Sequence, residues 1–68
     1  MPPLNWHKTM PQGQRIQAAL RARHGNALAA ARSLNVLSNL TYDPETKYRA
    51  RLDATKLFQM ARLAKAQR

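Results

Sequence analysis

The sequence predicts a small all-α domain of three helices, with a long C-terminal helix and an extended N-terminal arm. Residues 43–66 begin with the Asp-Pro-Glu sequence typical of a helix start, and no Gly and no further Pro follows. The Gly25-Asn26 pair is typical of one helix ending and another beginning. Apolar residues recur at helical spacing between these signals. We therefore expect an arm over residues 1–9 and a single domain over residues 10–68.

The arm is predicted because its residues include two consecutive prolines and show no helical period. Trp6 is the only Trp of the chain, and we expect it to lie across the helices and cover their small core. An interface anchor or a base-stacking platform is the alternative role for this side chain. His7 has no metal-ligand partner at a usable spacing, so we expect it to be solvated.

The first helix is predicted near residues 10–24. Thr9 and Gln12 have the spacing of a capping box, and Pro11 would fall in the tolerant first turn. Gly25 supplies the left-handed residue that ends this helix. The apolar residues that repeat at helical spacing are Ile16, Ala19 and Leu20.

The second helix is predicted near residues 26–41, with Asn26 as its N-cap. Only Arg32 is charged in this stretch, and a helix so poor in charge is expected to be largely buried. A tight corner before Pro44 separates it from the third helix, since the residue that precedes a proline avoids helical angles. Its apolar face is predicted to comprise Ala27, Ala30, Leu34, Leu37 and Leu40.

The third helix, near residues 43–66, is the organising element, because it is apolar on two sides and should have two neighbours. One side is a heptad-spaced Ala seam, which suits close packing against a helix of the same chain or of a second copy in a homodimer. The Ala seam consists of Ala50, Ala54, Leu57, Ala61 and Ala64. The roughly opposite side carries a second stripe that consists of Tyr48, Leu52, Thr55, Gln59 and Leu63.

Charge is the main guide to the partners of this chain. Twelve Lys and Arg face three carboxylates, the formal net charge is +9, and residues 1–42 contain no acid. A chain this basic is expected to bind a polyanion or an acidic protein surface, with a merely soluble Arg-rich surface as the simplest alternative. The candidate binding residues are Arg15, Arg21, Arg23, Lys47, Arg49, Arg51, Lys56, Arg62 and Lys65.

Catalysis is not expected, because the few carboxylates have local roles. Asp43 caps a helix and Glu45 lies in its first turn. Asp53 has Arg49 and Lys56 within helical reach. The sequence has no Cys, no phosphate-binding Gly-rich loop and no metal-ligand spacing. We therefore expect no enzymatic activity, no cofactor, no metal and no small-molecule substrate.

Cysteine usage and hydropathy bear on the compartment. The absence of Cys fits a reducing environment, and we expect a cytoplasmic protein. No apolar run approaches the length of about 18 residues that spans a bilayer, and the N-terminus lacks the apolar core of a secretory signal. We therefore expect no membrane span.

The segment HGNALAAARSLNV, residues 24–36, resembles the first helix and turn of the helix-turn-helix found in Fis-type DNA-binding domains. The resemblance implies that the next helix supplies polar and basic groups to the major groove. Residues 37–41 occupy that place here, and they contain no basic residue.

The segment DPETKYRARLDATKLF, residues 43–58, is similar to the capped helices of small bacteriophage proteins, including small terminase subunits. The resemblance implies a phage or mobile-element origin, and the protein would then act in the host cytoplasm. It transfers no functional residue to this chain.

Together these patterns predict a small, basic, non-enzymatic protein that binds nucleic acid through Arg and Lys contacts to phosphates. The alternative is a phage-type accessory or inhibitor protein, or a minor assembly subunit, that docks on an acidic surface of a protein partner. The Ala seam, the second stripe and Trp6 favour this alternative, because a phosphate binder does not need them. A transit peptide or a membrane-surface helix fits less well, since the caps indicate folded helices and the basic residues do not share one face.

Overall fold

Three helices form the domain in the computed structural model, which describes residues 5–66 and contains no strand among them. The helices are α1 (Gln12–Ala22), α2 (Ala27–Leu40) and α3 (Pro44–Ala66). The all-α class and the order of the three helices are therefore confirmed, and each helix begins and ends within two residues of its predicted limits. The outermost residues of the predicted arm and of the domain, 1–4 and 67–68, lie outside the described residues.

The capping box predicted at Thr9 and Gln12 is wrong. Pro11 is the N-cap residue of α1, with φ −56° and ψ 148°, and no side chain caps this helix. Because a proline ring disfavours helical angles in the preceding residue, Met10 is kept out of the helix. The Thr9 hydroxyl lies 2.8 Å from Nδ1 of His7 instead.

The turn between α1 and α2 forms as its Gly-Asn pair predicts. Gly25 has a left-handed φ of 80°, His24 before it has a φ of 56°, and the Gly25 amide donates to the Leu20 carbonyl at 2.7 Å. Asn26 then caps α2, since its side-chain oxygen accepts a hydrogen bond of 3.1 Å from the Ala29 amide.

The start of α3 is also capped as predicted. The carboxylate of Asp43 accepts hydrogen bonds from the amide of Glu45 at 3.3 Å and from the amide of Thr46 at 3.4 Å. The Thr46 hydroxyl donates to the same carboxylate at 2.6 Å. These bonds satisfy amides that the first turn of a helix leaves without a partner.

The core lies mainly between α2 and α3, which make most of the contacts between helices. The first three positions of the Ala seam, Ala50, Ala54 and Leu57, are buried against it, as packing within one chain predicts. Ala61 is half-buried and Ala64 is exposed, because the seam runs past the start of α2. The buried apolar residues are Ile16, Ala19, Ala30, Ala31, Leu34, Ala50, Ala54 and Leu57.

One prediction about burial is wrong, and one expected neighbour of α3 is not found among the described residues. Leu40, assigned to the apolar face of α2, is 73% exposed, since it follows Leu34 by six residues and so lies roughly 120° around the helix from it. No helix among residues 5–66 covers the second stripe of α3, although Gln12 at the start of α1 borders it, and its members Tyr48, Leu52 and Leu63 are all exposed. The α3 helix therefore packs on one side only and presents apolar residues to solvent on the other.

The described part of the arm, residues 5–9, packs on the helices through Trp6 and Lys8. It contains a turn in which the Met10 amide donates to the His7 carbonyl at 3.1 Å, so the expectation of an extended arm does not hold there. Trp6 is half-buried and packs against the core, which confirms its core-covering role.

Replacing Ala54 by Leu tests the close packing of the Ala seam. Ala54 is 3% exposed, so the larger side chain should push α2 away from α3 and lower the free energy of unfolding by about 1–3 kcal/mol. Ala61→Leu is the matched control. Because Ala61 is only half-buried, this substitution should lower the free energy of unfolding less. Urea unfolding of the two variants measures the difference, and equal losses would contradict this packing.

Candidate nucleic-acid interface

Asp53 lies in the middle of α3 and is completely buried. Its carboxylate accepts two hydrogen bonds from the guanidinium of Arg15, at 2.7 Å from Nε and at 3.0 Å from a terminal nitrogen. The indole of Trp6 donates to it at 2.8 Å, and the amide of Gln12 donates at 3.3 Å. The arm, α1 and α3 therefore meet at one buried carboxylate.

Arg15 is enclosed in the same network. It is 5% exposed, its second terminal nitrogen donates to the Met10 carbonyl at 2.9 Å, and its Cζ lies 5.9 Å from the Trp6 ring centroid. The hydrogen bonds to Asp53 raise the pKa of Arg15 above its ordinary value, so the guanidinium stays charged. The expectation that Arg15 is a surface cation is therefore corrected, and Asp53 pairs with it and not with its helical neighbours.

The other two carboxylates, Asp43 and Glu45, form a second group of ion pairs at the start of α3. Lys8 of the arm lies 2.6 Å from the Asp43 carboxylate and 3.7 Å from Glu45. This Lys8 hydrogen bond, with help from Thr46, holds the pKa of Asp43 well below its usual range. Arg49 lies 2.9 Å from Glu45 and donates to the Lys8 carbonyl at 2.7 Å.

All three carboxylate side chains of the chain are thus held by its own cations: Asp43 by Lys8, Glu45 by Arg49, and Asp53 by Arg15. Three of the twelve Lys and Arg are used in this way, so the other nine account for the whole formal charge of +9. The charge that could attract a partner therefore lies on residues outside these pairs.

Four of these cations form a row that we call the basic edge: Lys47, Arg51, Arg62 and Lys65. At about 100° per residue they lie within an arc of roughly 60°, between the buried face of α3 and its second stripe. Phe58 lies in the same arc and is 37% exposed. The row is roughly 27 Å long at 1.5 Å per residue. Within residues 5–66 none of the four lies within ion-pair distance of a carboxylate.

The remaining candidate residues lie elsewhere. Arg49 is half-buried in its ion pair, and Arg23 folds back on the helices, with hydrogen bonds to the Ser33 hydroxyl at 2.9 Å and to a backbone carbonyl at 3.1 Å. Arg21 is exposed on α1, and Lys56 is exposed on the edge of α3 away from the basic edge. The structure thus divides the predicted set: four members share one edge, and the others do not join them.

A shallow groove of about 450 Å³ runs beside the second stripe. Arg51 and Lys56 lie on its two sides. The apolar floor between these cations comes from Tyr48 and Leu52, and Thr55, Gln59 and Gln12 complete the lining. The groove therefore combines apolar surface with positive charge on both flanks.

The sequence did not predict the Arg15–Asp53 pair, because its members are 38 residues apart and no local signal joins them. The sequence nevertheless contains one indication that Arg15 is buried. Arg15 precedes Ala19 by four residues and adjoins Ile16, so helical spacing places it on the buried face of α1. A cation in that position needs a buried acid, and Asp53 is the one carboxylate away from the capped start of α3.

Residues 37–40, which stand in the place of the recognition helix in the helix-turn-helix resemblance, continue α2 without a break. Among residues 5–66 there is no group of three His, Cys, Asp or Glu side chains that could hold a metal ion. In the same part of the chain, no helix is both long and apolar enough to cross a membrane.

Comparison with known proteins identifies no relative. No protein-family model, no curated protein and no solved structure matches this chain.

Proposed function

We propose that this chain is a non-enzymatic nucleic-acid-binding protein that holds a phosphate backbone along the basic edge of α3. The observation behind the proposal is the row of Lys47, Arg51, Arg62 and Lys65 on one side of one rigid helix, unpaired with any carboxylate of residues 5–66. Lys and Arg that replace condensed counterions on a nucleic acid gain affinity that falls as salt rises.

The length of the row supports a nucleic-acid backbone as the ligand. Duplex DNA carries one negative charge per about 1.7 Å of its axis, so a row of cations roughly 27 Å long can meet phosphates at several points. A small anion would need its donors gathered at one point, whereas these side chains are spread along the helix. Contacts of this kind position a protein on nucleic acid without reading its sequence.

The ion pairs formed by the three carboxylates also support a nucleic acid as the ligand. Asp43, Glu45 and Asp53 are all neutralised within the chain, so none of them adds an unscreened negative charge near the basic edge. Their engagement in caps and ion pairs also favours a binding role over general acid or base catalysis, which needs titratable groups in a pocket.

The experiment compares two double variants that remove the same charge. Arg62→Gln with Lys65→Gln removes two cations from the basic edge, and Arg21→Gln with Lys56→Gln removes one Arg and one Lys from exposed sites elsewhere. Fluorescence anisotropy with a random-sequence DNA duplex, and with a single-stranded RNA of equal length, is measured over a salt series.

The variant of the basic edge should reduce the slope of log affinity against log salt by about 1.4–1.8, since each phosphate contact contributes about 0.7–0.9. The control should leave the slope nearly unchanged. Equal reductions in both would show that only net charge attracts the polymer, and no binding at low salt would refute the proposal. Circular dichroism of each variant verifies that the helices remain folded.

A further inference from the structure

The second stripe of α3 is an exposed surface in which Tyr48, Leu52 and Leu63 are apolar, while Thr55 and Gln59 between the two leucines are polar. Its five residues recur at intervals of four, three, four and four along one rigid helix and extend over roughly 22 Å. Tyr48 is 64% exposed, Leu52 is 43% exposed and Leu63 is 63% exposed. Large apolar side chains aligned with one another and bordered by polar residues are typical of an interaction site.

The shape of this surface suits another helix. Side chains one turn apart on a straight helix leave gaps between them, into which the side chains of a second helix can pack, and Tyr48 with Leu52 and then Leu63 offer apolar contacts at the two ends of this row. Amphipathic helices are bound in this way, through apolar residues one turn apart. The groove between Arg51 and Lys56 lies along the same row, with Tyr48 and Leu52 as its floor.

The charge of the surface indicates which helix fits. Arg51 and Lys56 flank the apolar floor on opposite sides, so a bound helix would place its own edges against positive charge on both flanks. A second copy of this chain would bring Arg51 and Lys56 of its own to the same place, and like charges would oppose the contact. A nucleic acid would meet leucine side chains, which offer nothing to its phosphates.

We propose that the second stripe docks an acidic amphipathic helix of a partner protein, with apolar residues on one face and Asp or Glu along both edges. The apolar residues would cover Leu52 and Leu63, and the acidic edges would pair with Arg51 and Lys56. This site is separate from the proposed nucleic-acid interface in its ligand and in most of its residues, so one chain could join a partner protein to a nucleic acid.

The test uses a designed peptide of about three heptads, with Leu at the two apolar positions of each heptad and Glu at the flanking positions. Two further peptides are controls: one has the same composition with the leucines scattered around the helix, and one has Lys in place of Glu. Isothermal titration calorimetry with the full chain should give binding of the first peptide that is at least about tenfold tighter than that of either control.

A pair of protein variants then locates the site. Leu52→Ser with Leu63→Ser should weaken the binding of the acidic peptide at least about tenfold. Val36→Ser with Leu40→Ser, which changes exposed apolar residues on α2, should leave it unchanged. If the scattered peptide binds as tightly as the amphipathic one, charge alone explains the binding, and the proposal is overturned. Equal effects of the two double variants would also overturn it.

Two further measurements test the other possible ligands of the second stripe, which are a second copy of this chain and a nucleic acid. The mass of the protein in solution should be that of a monomer, and a dimer that dissociates in Leu52→Ser with Leu63→Ser would assign the stripe to a second copy. Nucleic-acid affinity should not change in this double variant. A loss equal to that of Arg62→Gln with Lys65→Gln would assign the stripe to the nucleic acid and overturn the proposal, while failure of the basic edge to bind nucleic acid would leave the peptide result unaffected.

Discussion

Asp53→Ala is expected to remove most or all of the free energy of unfolding, so that a large fraction of the chain is unfolded at room temperature. The substitution leaves the buried guanidinium of Arg15 without its counter-charge and removes the acceptor of the Trp6 indole. Breaking a buried ion pair by removing one partner costs about 3–5 kcal/mol. A core of this size provides only about 3–5 kcal/mol in total, so the loss is comparable to the whole stability.

Circular dichroism and urea unfolding measure this effect, and Glu45→Ala is the control. Glu45 forms its ion pair with Arg49 at the surface, where such pairs contribute at most about 1 kcal/mol. A further variant, Arg15→Met with Asp53→Leu, should recover much of the lost stability, because apolar side chains can replace a buried ion pair without leaving a charge unpaired. Similar losses in Asp53→Ala and Glu45→Ala would contradict this account of the buried network.

Leu57→Ala is expected to lower the free energy of unfolding by about 2–5 kcal/mol. Leu57 is completely buried in the Ala seam, so the smaller side chain loses apolar burial and leaves a cavity beside α2. Leu63→Ala removes the same atoms from the same helix at a site that is 63% exposed, and it should cost far less. Urea unfolding of the two variants provides the comparison. A loss in Leu63→Ala as large as that in Leu57→Ala would show that the second stripe is covered in the native fold.

The parts of the fold that could be predicted from the sequence depend on local chemistry. Asp43 and Asn26 cap helices through bonds to amides two or three residues away, and Gly25 adopts a left-handed conformation that most residues avoid. These signals act within a few residues, so they hold whatever the rest of the chain does. The failure at Thr9 was also local, since two signals competed and the steric effect of Pro11 overrode the capping box.

The surfaces of α3 could not be predicted in the same way. Spacing identifies both the Ala seam and the second stripe, but it does not say which of them a neighbouring helix will cover. Packing decides this, because α2 covers Ala50 and Ala54 and leaves Tyr48 exposed. The basic edge is distinct from the other candidate cations because Arg15 and Arg49 are engaged within the chain. Arg15 pairs with Asp53, 38 residues away, and Arg49 donates to the Lys8 carbonyl, 41 residues away, so these contacts have no local signal. The additional pair of Arg49 with Glu45 is local, since the two residues lie one turn apart on α3.

The buried network also sets an order of events during protein synthesis. Arg15 and Trp6 leave the ribosome before Asp53, from which they are separated by 38 and 47 residues. At a synthesis rate of about 5–20 residues per second, Asp53 is added to the chain roughly 2–8 s after Arg15. Until then α1 has a guanidinium on its apolar face without its native acid, so Trp6, Gln12 and Arg15 cannot complete their native hydrogen bonds before Asp53 of α3 has emerged.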